Sequence, residues 1–226
     1  MMYVIGDTHG DIERYKRIVA PRVRAGDIVL HVGDFGFWDE EIHGKFLDEV
    51  EEAGYTLAFV DGNHENYPKM EALPDQQLWG GVVGVLRPHI VRLKRGEVYA
   101  VEGRTVFAMG GAMSQDRYMR REGESWFPQE IPGDEDCRHA EESLNKVERK
   151  VDCVLTHAAP IETFEYMVRR GVMDGRPQQE EFAFLNYLQY VCDTVEYGKW
   201  FFGHYHVDME LWRGQTAVLD EVISLD

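Results

Sequence analysis

Eight side chains that could bind a metal ion or transfer a proton follow short apolar runs in five separate parts of the chain. They are Asp7 and His9, Asp34, Asn63 and His64, His157, and His204 and His206. In four of the five stretches, a glycine immediately precedes the first polar residue. Glycine permits a tight turn, sometimes with positive φ, that directs the next side chain away from the sheet. The sequence therefore predicts polar side chains presented at the ends of strands.

The chemistry of this donor set indicates metal ions. Two carboxylates, four or five imidazoles and one amide oxygen, with no Cys among them, suit Mn, Fe, Zn, Co or Ni. So many ligands exceed the needs of one tetrahedral ion and suit two ions about 3.5–4 Å apart. One carboxylate must then bridge the ions, and we expect Asp34 to do so because it stands alone after its apolar run.

Each motif is weak when taken singly. Asp after Gly is a common turn sequence, and Asp-x-His alone occurs for many reasons. Gly-Asn-His and Gly-His-x-His at strand ends are more specific. All five motifs in this order, each after an apolar run, argue against coincidence.

The elements that must position these residues alternate between strands and helices at both ends of the chain. The predicted strands cover residues 3–5, 28–32, 56–60, 151–155 and 200–202, and short β runs near 209–212 and 217–219 close the chain. The apolar helix faces are predicted at Ile12, Tyr15, Ile18 and Val19, at Ile42, Phe46, Leu47 and Val50, and at Phe182, Leu185, Leu188, Val191 and Cys192. This alternation predicts a parallel sheet with right-handed crossovers. Ligands bind beyond the carboxyl ends of such strands.

The middle of the chain has a different pattern. Short β runs at residues 90–93, 98–101 and 105–109 are broken by Arg95-Gly96 and Gly103-Arg104, which predicts antiparallel hairpins. A charged, irregular loop insertion follows at about 114–135, and then a helix from about 135 to 150. We find no linker or repeat and predict one domain over residues 1–226.

Composition excludes several classes of protein. The net charge of -17 would repel a nucleic-acid backbone and an anionic membrane, so neither is an expected partner. No apolar run approaches the about 20 residues of a membrane span, and the N-terminus lacks the features of a signal peptide. The three cysteines (Cys137, Cys153 and Cys192) are scattered without a Cys-x-x-Cys motif, which predicts reduced thiols in a cytoplasmic protein.

The five motifs together resemble those of the calcineurin-like metallophosphoesterase family, in the family's order and over essentially the whole chain. The resemblance implies an α/β fold of two mixed β-sheets packed as a sandwich and flanked by helices, in four αββα layers. Carried over by motif, Asp7, His9 and His206 would hold one metal ion, and Asn63, His157 and His204 the other. Asp34 would bridge the ions, and His64 would be catalytic without being a ligand.

The resemblance also implies an activity. A phosphomonoester or small phosphodiester would be hydrolysed by in-line attack of a metal-bridging hydroxide. His64 would protonate the leaving oxygen or stabilise charge on the phosphoryl group. The expected cofactors are two divalent transition-metal ions, with manganese first and Fe, Zn, Co or Ni as alternatives. The expected partner is a phosphorylated small-molecule or peptide substrate, and the oligomeric state stays open.

The second motif departs from the family's Ser/Thr protein phosphatases. Residues 33–39 are Gly-Asp-Phe-Gly-Phe-Trp-Asp, so the second Asp and the phosphate-binding Arg of Gly-Asp-x-x-Asp-Arg-Gly are missing. A substitute phosphate clamp could come from Arg117, Arg120 and Arg121, since Arg suits bidentate phosphate contacts. These arginines could equally be solvated charges. Asp39 or Glu40 could orient His64, but spacing does not decide this.

Three alternatives remain at this point. The chain could be a metal-binding scaffold of the same fold with weak catalysis, a nuclease-type member, which the acidic balance disfavours, or a protein-phosphatase-type member. Trp126 and Phe127 could stack on a base or an aromatic leaving group, or could simply pack beneath the loop.

Overall fold

Two β-sheets face each other and are covered by helices on their outer sides. The computed structural model of the chain describes residues 1–173 and 179–225. The helices are α1 (Ile12–Val19), α2 (Glu40–Ala53), α3 (Tyr67–Glu71), α4 (Asp134–Lys146), α5 (Ile161–Arg169) and α6 (Gln179–Thr194). This mixed α/β architecture with two mixed sheets confirms the expected fold class.

The first sheet carries the N-terminal strands. Its strands are β1 (Met2–Ile5), β2 (Ile28–His31), β3 (Thr56–Phe59), β4 (Asp75–Leu78), β5 (Gly81–Arg87), β6 (Ile90–Leu93) and β13 (Ile223–Ser224). Within the described chain the spatial order is β13-β1-β2-β3-β6-β5-β4. The pairs β1–β2, β2–β3 and β3–β6 are parallel, so β1, β2 and β3 end at the same edge, as predicted.

The second sheet carries the C-terminal strands. Its strands are β7 (Glu97–Val101), β8 (Arg104–Met109), β9 (Lys150–Thr156), β10 (Glu196–Phe202), β11 (Met209–Glu210) and β12 (Gln215–Ala217). The order in the described part is β11-β12-β10-β9-β8-β7. Because β8, β9 and β10 are parallel neighbours, the loops that follow them also lie side by side.

Alternating side chains divide the core into three apolar layers. Phe201 faces the space between the sheets, whereas Trp200 and Phe202 point to the helices over the second sheet. In β1, Val4 lies between the sheets and Ile5 packs toward α1 and α2. Successive side chains of a strand point to opposite faces of its sheet. Because both faces of these strands are buried, nearly every residue in them is apolar.

Two predicted helix faces were wrong at one residue each. Ile42 is 66% exposed although Phe46, Leu47 and Val50 are buried, and Phe182 is 50% exposed while Phe184 is buried. Both misplaced residues lie in the first turn of their helix. In α6 the buried face begins at Glu181, which is fully buried, so Phe182 points away from it.

Other elements also differ from the prediction. The helix expected over 135–150 ends at Lys146, because Glu148 and Arg149 adopt positive φ in the turn before β9. Residue Trp212 lies in a short 3₁₀ turn and not in a strand. Helix α5 was not foreseen.

The predicted hairpin between β6 and β7 was also wrong, since these strands belong to different sheets. The chain crosses between the sheets at Arg95, whose guanidinium is buried and donates from Nε to Asp61 Oδ2 at 2.8 Å. The next hairpin, β7–β8, forms as expected. Arg95-Gly96 does form a turn, but this turn carries the chain from one sheet to the other and does not close a hairpin.

Among the described residues, no helix has the length and apolar character required to cross a bilayer. The three cysteines are free thiols in the structure, as their spacing predicted.

Candidate metal centre

The loops after five strands meet where the two sheets end together. The loop after β1 is held against the loop after β2 by backbone bonds from His9 N to Asp34 O at 2.7 Å and from Gly10 N to Phe35 O at 3.0 Å. The second sheet joins this group because His204 N donates to the Asp7 carboxylate at 2.9 Å. Side chains separated by almost 200 residues therefore share one pocket.

Five of the predicted ligands have left-handed backbone conformations. The φ values are 47° for Asp7, 52° for His9, 54° for Asp34, 69° for His204 and 51° for His206. Non-glycine residues rarely adopt such angles, and they concentrate at functional sites. We expected the preceding glycines to adopt positive φ, and Gly33 does so, with φ of 98°. In these turns, however, positive φ is adopted mainly by the polar residues themselves.

One group of candidate ligands contains two carboxylates and two imidazoles. Asp7, His9, Asp34 and His206 each offer one donor atom, and these four atoms lie within 4.8 Å of one another. His9 Nε2 is 3.0 Å from His206 Nε2 and 3.6 Å from Asp34 Oδ2. Both carboxylates are buried, whereas both imidazoles are exposed at the mouth of the pocket.

A second group lies on the other side of Asp34. His157 Nε2 is 3.1 Å from Asn63 Oδ1 and 3.4 Å from Asp34 Oδ1. The His204 ring lies beside it, with 5.1 Å between the two ring centroids. His157 and Asn63 are buried, and His157 Nδ1 is 2.7 Å from the Val32 carbonyl oxygen.

Asp34 stands between the two groups. Its Oδ2 faces His9 and its Oδ1 faces His157. This is the placement that a carboxylate bridging two ions requires. Gly62 makes the approach possible, because a Cβ there would lie 2.2 Å from Asp34 Oδ1. The structure thus brings all seven predicted ligands together, and their assignment to metal ions stays a prediction.

Electrostatics favour a cation in this pocket. Burial raises the pKa of Asp7 to about 7. Burial opposes charge on His157, but the Asp34 carboxylate outweighs burial and raises the His157 pKa to about 9. The same pairing outweighs burial at Asp34 and holds the pKa of its carboxyl well below the usual range.

The remaining imidazoles are held in the form that binds metals. Burial lowers the pKa of His9 to about 4 and that of His204 to about 3, and it also lowers the pKa of His206. A neutral imidazole has a lone pair available for a metal ion.

The donor set fits divalent metal ions on these observations. Because His157 Nδ1 donates to the Val32 carbonyl, the second proton of a charged His157 sits on Nε2, between Asn63 Oδ1 and Asp34 Oδ1. A metal ion would replace that proton and take the same oxygen neighbours. The backbone contact is the outer-shell bond that fixes the tautomer of a metal-binding His.

His64 lies at the edge of this group and not within it. Its backbone N–H donates to Asp34 Oδ1 at 2.8 Å, and its ring is 5.2 Å from that of His9 between centroids. Its Nε2 is 3.3 Å from Arg120 Nη2. Since an arginine can only donate, His64 Nε2 is unprotonated in this contact. Burial lowers the His64 pKa, which agrees with a neutral ring.

Of the three arginines predicted to bind phosphate, Arg120 is the one that contacts His64 at the site. Arg121 pairs with Glu124 and its side chain is 77% exposed. Arg117 pairs with Glu180 at 2.8 Å and lies over the ring of Trp126. The clamp prediction therefore narrows to Arg120.

The acidic residues considered for orienting His64 have other roles. The Asp39 carboxylate accepts from the first N–H groups of α2, and Glu40 pairs with Arg87 at 2.5 Å. Asp39 thus caps α2 and Glu40 forms an ion pair, whereas the ring of His64 contacts Arg120.

Sequence reasoning missed Glu65 as a positioning residue. Its buried carboxylate accepts from Phe35 N at 2.8 Å, Gly62 N at 3.2 Å, Gly36 N at 3.3 Å and Trp38 Nε1 at 2.6 Å. It therefore ties the turn that follows Asp34 to the turn that carries Asn63. Burial raises the Glu65 pKa to about 7. Its place in Gly-Asn-His-Glu was the available signal.

We expect Glu65→Gln to loosen both turns, because one acceptor becomes an NH₂ group that faces backbone N–H donors. The free energy of unfolding should fall by about 1–3 kcal/mol, and metal affinity should fall by about 10- to 100-fold. Denaturant unfolding and metal titration measure the two effects. Glu71→Gln, at an exposed position nearby, is the control. Unchanged stability and affinity in Glu65→Gln would refute the positioning role.

Ser114 was also missed, because nothing in its local sequence marks it. Asn63 Nδ2 donates to Ser114 Oγ at 3.2 Å, so the amide oxygen of Asn63 is turned toward His157. Ser114 is itself fixed by a bond from its N–H to Glu130 Oε2 at 3.1 Å. The loop insertion therefore orients one of the candidate ligands.

Known proteins supply an independent comparison. A family model described as calcineurin-like phosphoesterase matches residues 2–208. No curated protein matches the chain. A solved structure of phosphopantetheinyl hydrolase from Mycobacterium tuberculosis is similar at 14% identity and a TM-score of 0.45, covering 96% of this chain and 87% of that one.

Proposed function

The chain belongs to the calcineurin-like phosphoesterase family, and from this we propose that it is a phosphoesterase that uses two divalent metal ions. The proposed substrate is a phosphomonoester or a small phosphodiester. The observation that carries the proposal is Asp34, whose two carboxylate oxygens face two separate groups of nitrogen and oxygen donors. We propose manganese as the metal, since mixed imidazole and carboxylate donors suit it among several ions.

The predicted ligands divide into two sets around Asp34. Asp7, His9 and His206 would hold one ion, and Asn63, His157 and His204 the other. When bound, two such ions supply an activated water for in-line attack on phosphorus and neutralise the phosphate charge. The protein contributes fixed positions, because backbone bonds join the turns that carry the ligands.

His64 is the proposed general acid. It lies beside His9, and its Nε2 contacts Arg120. Once a bound substrate displaced Arg120 from Nε2, that nitrogen could take up a proton from solvent and would then donate it to the leaving oxygen. A positioned imidazole of this kind commonly accelerates a reaction by about 100- to 10,000-fold.

Arg120 is the proposed phosphate contact. Its guanidinium is 21% exposed and is held by Asp116 at 2.7 Å and by the Ser125 carbonyl at 3.0 Å, which leaves Nη2 facing His64. This arrangement compensates for the arginine that is missing from the second motif. The planar guanidinium suits contacts with phosphate oxygens.

We expect Arg120→Ala to raise KM about tenfold, because a hydrogen bond from a charged group contributes about 1.5–3 kcal/mol. Metal content should not change. Arg121→Ala is the matched control, since Arg121 is adjacent on the same loop but is exposed and paired with Glu124. Steady-state kinetics that show no difference between the two variants would remove Arg120 from the substrate site.

The proposed function is tested by a substrate panel on manganese-reconstituted protein. Hydrolysis of 4-nitrophenyl phosphate would indicate monoesterase activity, and hydrolysis of bis(4-nitrophenyl) phosphate would indicate diesterase activity. Activity should disappear with a chelator and return with added metal. Binding of two ions without turnover on any ester would favour a metal-binding scaffold over an enzyme.

A further inference from the structure

A small cavity lies at the base of the loop insertion, beside the metal centre. Its volume is about 190 Å³, and its walls are formed by Met113, Arg117, Trp126, Pro128, Ile131 and Glu180, among others. Sites for whole drug-sized ligands occupy about 300–1,000 Å³. This cavity therefore suits one ring system, and not an entire ester.

The walls are suited to a flat aromatic group. The Arg117 guanidinium carbon is 6.0 Å from the centroid of the Trp126 ring, and Glu180 holds the guanidinium at 2.8 Å. Met113 is 1% exposed and supplies an apolar wall. Aromatic rings and guanidinium planes are the surfaces on which nucleic-acid bases stack.

Phe127 also lines the cavity, but it is the less accessible of the two aromatic residues there. It is 8% exposed and packs on Tyr67, with 5.8 Å between the ring centroids. Of the two aromatic residues that the sequence offered for stacking, Trp126 is the one that remains partly accessible.

The cavity is connected to the catalytic site through short contacts. Met113 directly precedes Ser114, which accepts a hydrogen bond from Asn63 at 3.2 Å. Arg117 precedes Arg120, which contacts His64, by one turn of a 3₁₀ helix. The lining residues include none of the eight strand-end side chains. A ring in the cavity therefore cannot be attached directly to an ester oxygen at His64 and must be carried on a spacer.

Charge complementarity gives the orientation of the ligand. Arg117 and two acidic residues, Glu130 and Glu180, line the cavity, whereas Arg120 contacts His64. An anionic phosphate would face Arg120 and the metal ions, and an uncharged ring would face Trp126.

We infer that the cavity is a subsite for the aromatic ring of a phosphate ester whose ring and phosphorus are separated by a spacer, as they are in a nucleotide. The inference rests on the proposed phosphoesterase function. It assigns to Trp126 a role in substrate choice that is distinct from the chemical step at His64.

Adenosine 5′-monophosphate and ribose 5-phosphate make a matched pair for the test. They share the same ester oxygen and spacer and differ only in the base. On manganese-loaded protein, kcat/KM should favour the nucleotide by about tenfold or more, which is the effect of one stacked base. Trp126→Ala should remove this preference and leave hydrolysis of ribose 5-phosphate unchanged.

Two further variants separate stacking from loop structure. Trp126→Phe keeps an aromatic face and should retain most of the preference. Tyr118→Ala removes an aromatic residue from the same loop at a site that is 81% exposed and outside the cavity, so it should retain the full preference. If Trp126→Ala lowered hydrolysis of both esters equally, Trp126 would only hold the loop and the inference would be wrong.

Binding of adenosine, measured by calorimetry, is independent of turnover because adenosine contains no phosphorus. Adenosine should bind the parent protein and should bind Trp126→Ala about tenfold more weakly. If this held while neither these two esters nor the 4-nitrophenyl mono- and diesters were hydrolysed, the proposed function would fail and the subsite would stand. Hydrolysis of ribose 5-phosphate with no base preference and no adenosine binding would overturn the subsite alone.

Discussion

Replacing Asp34 with Asn is expected to reduce the bound metal from two ions per chain to at most one and to lower kcat/KM by about 1,000-fold or more. A metal ion supplies several kcal/mol of transition-state stabilisation, and about 4 kcal/mol corresponds to roughly 1,000-fold in rate. The substitution keeps the shape of the side chain and an oxygen that can accept the His64 N–H bond, which is 2.8 Å long. What it removes is the charge shared by both ligand groups.

Metal analysis by mass spectrometry and steady-state kinetics measure these effects. Asp152→Asn is the matched control, because that carboxylate accepts from Thr105 N at 2.7 Å on an exposed edge between β8 and β9. It should keep two ions and full activity. Two tightly bound ions in Asp34→Asn would show that Asp34 does not bridge them.

Replacing His64 with Ala is expected to lower kcat by about 100- to 10,000-fold, the usual contribution of a general acid, without loss of metal. The backbone N–H of residue 64 still reaches Asp34 in this variant, since that contact does not involve the side chain. The loss should be larger for an alkyl ester than for a 4-nitrophenyl ester, because nitrophenolate leaves without being protonated.

The exposed residue His89 provides the control, and His89→Ala should match the parent protein in rate and metal content. Loss of both ions in His64→Ala would contradict the role assigned to His64. Equal losses on the alkyl and the 4-nitrophenyl ester would favour charge stabilisation over proton donation.

The strand ends could be predicted from the sequence because their signal is local. An apolar run followed by Gly and Asp, or by Gly and His, defines both the strand and the point where it stops. The parallel order of β1, β2 and β3 then follows from the helices between them, and the gathering of Asp7, Asp34 and Asn63 follows from that order.

The remaining features depend on contacts that no local pattern encodes. Glu65 reaches the turn after β2 across 30 residues, and Ser114 reaches Asn63 across 51. The crossing between the sheets at Arg95 resembles an ordinary turn until its guanidinium is seen buried against Asp61. Ile42 and Phe182 lie in the first turn of their helices and are exposed, although an apolar residue there fitted the predicted helix face.

The left-handed conformations at five of the proposed ligands limit which metals this protein could be redesigned to bind. Asp, Asn and His tolerate such backbone angles better than most residues, and they are also donors for manganese or iron. Cysteine would offer a thiolate for softer ions, and glutamate a longer carboxylate, but neither shares this tolerance. At Asp7, His9, Asp34, His204 and His206, the backbone thus restricts the choice of amino acid before coordination chemistry does. Directed evolution toward a thiophilic metal would have to reshape these loops first.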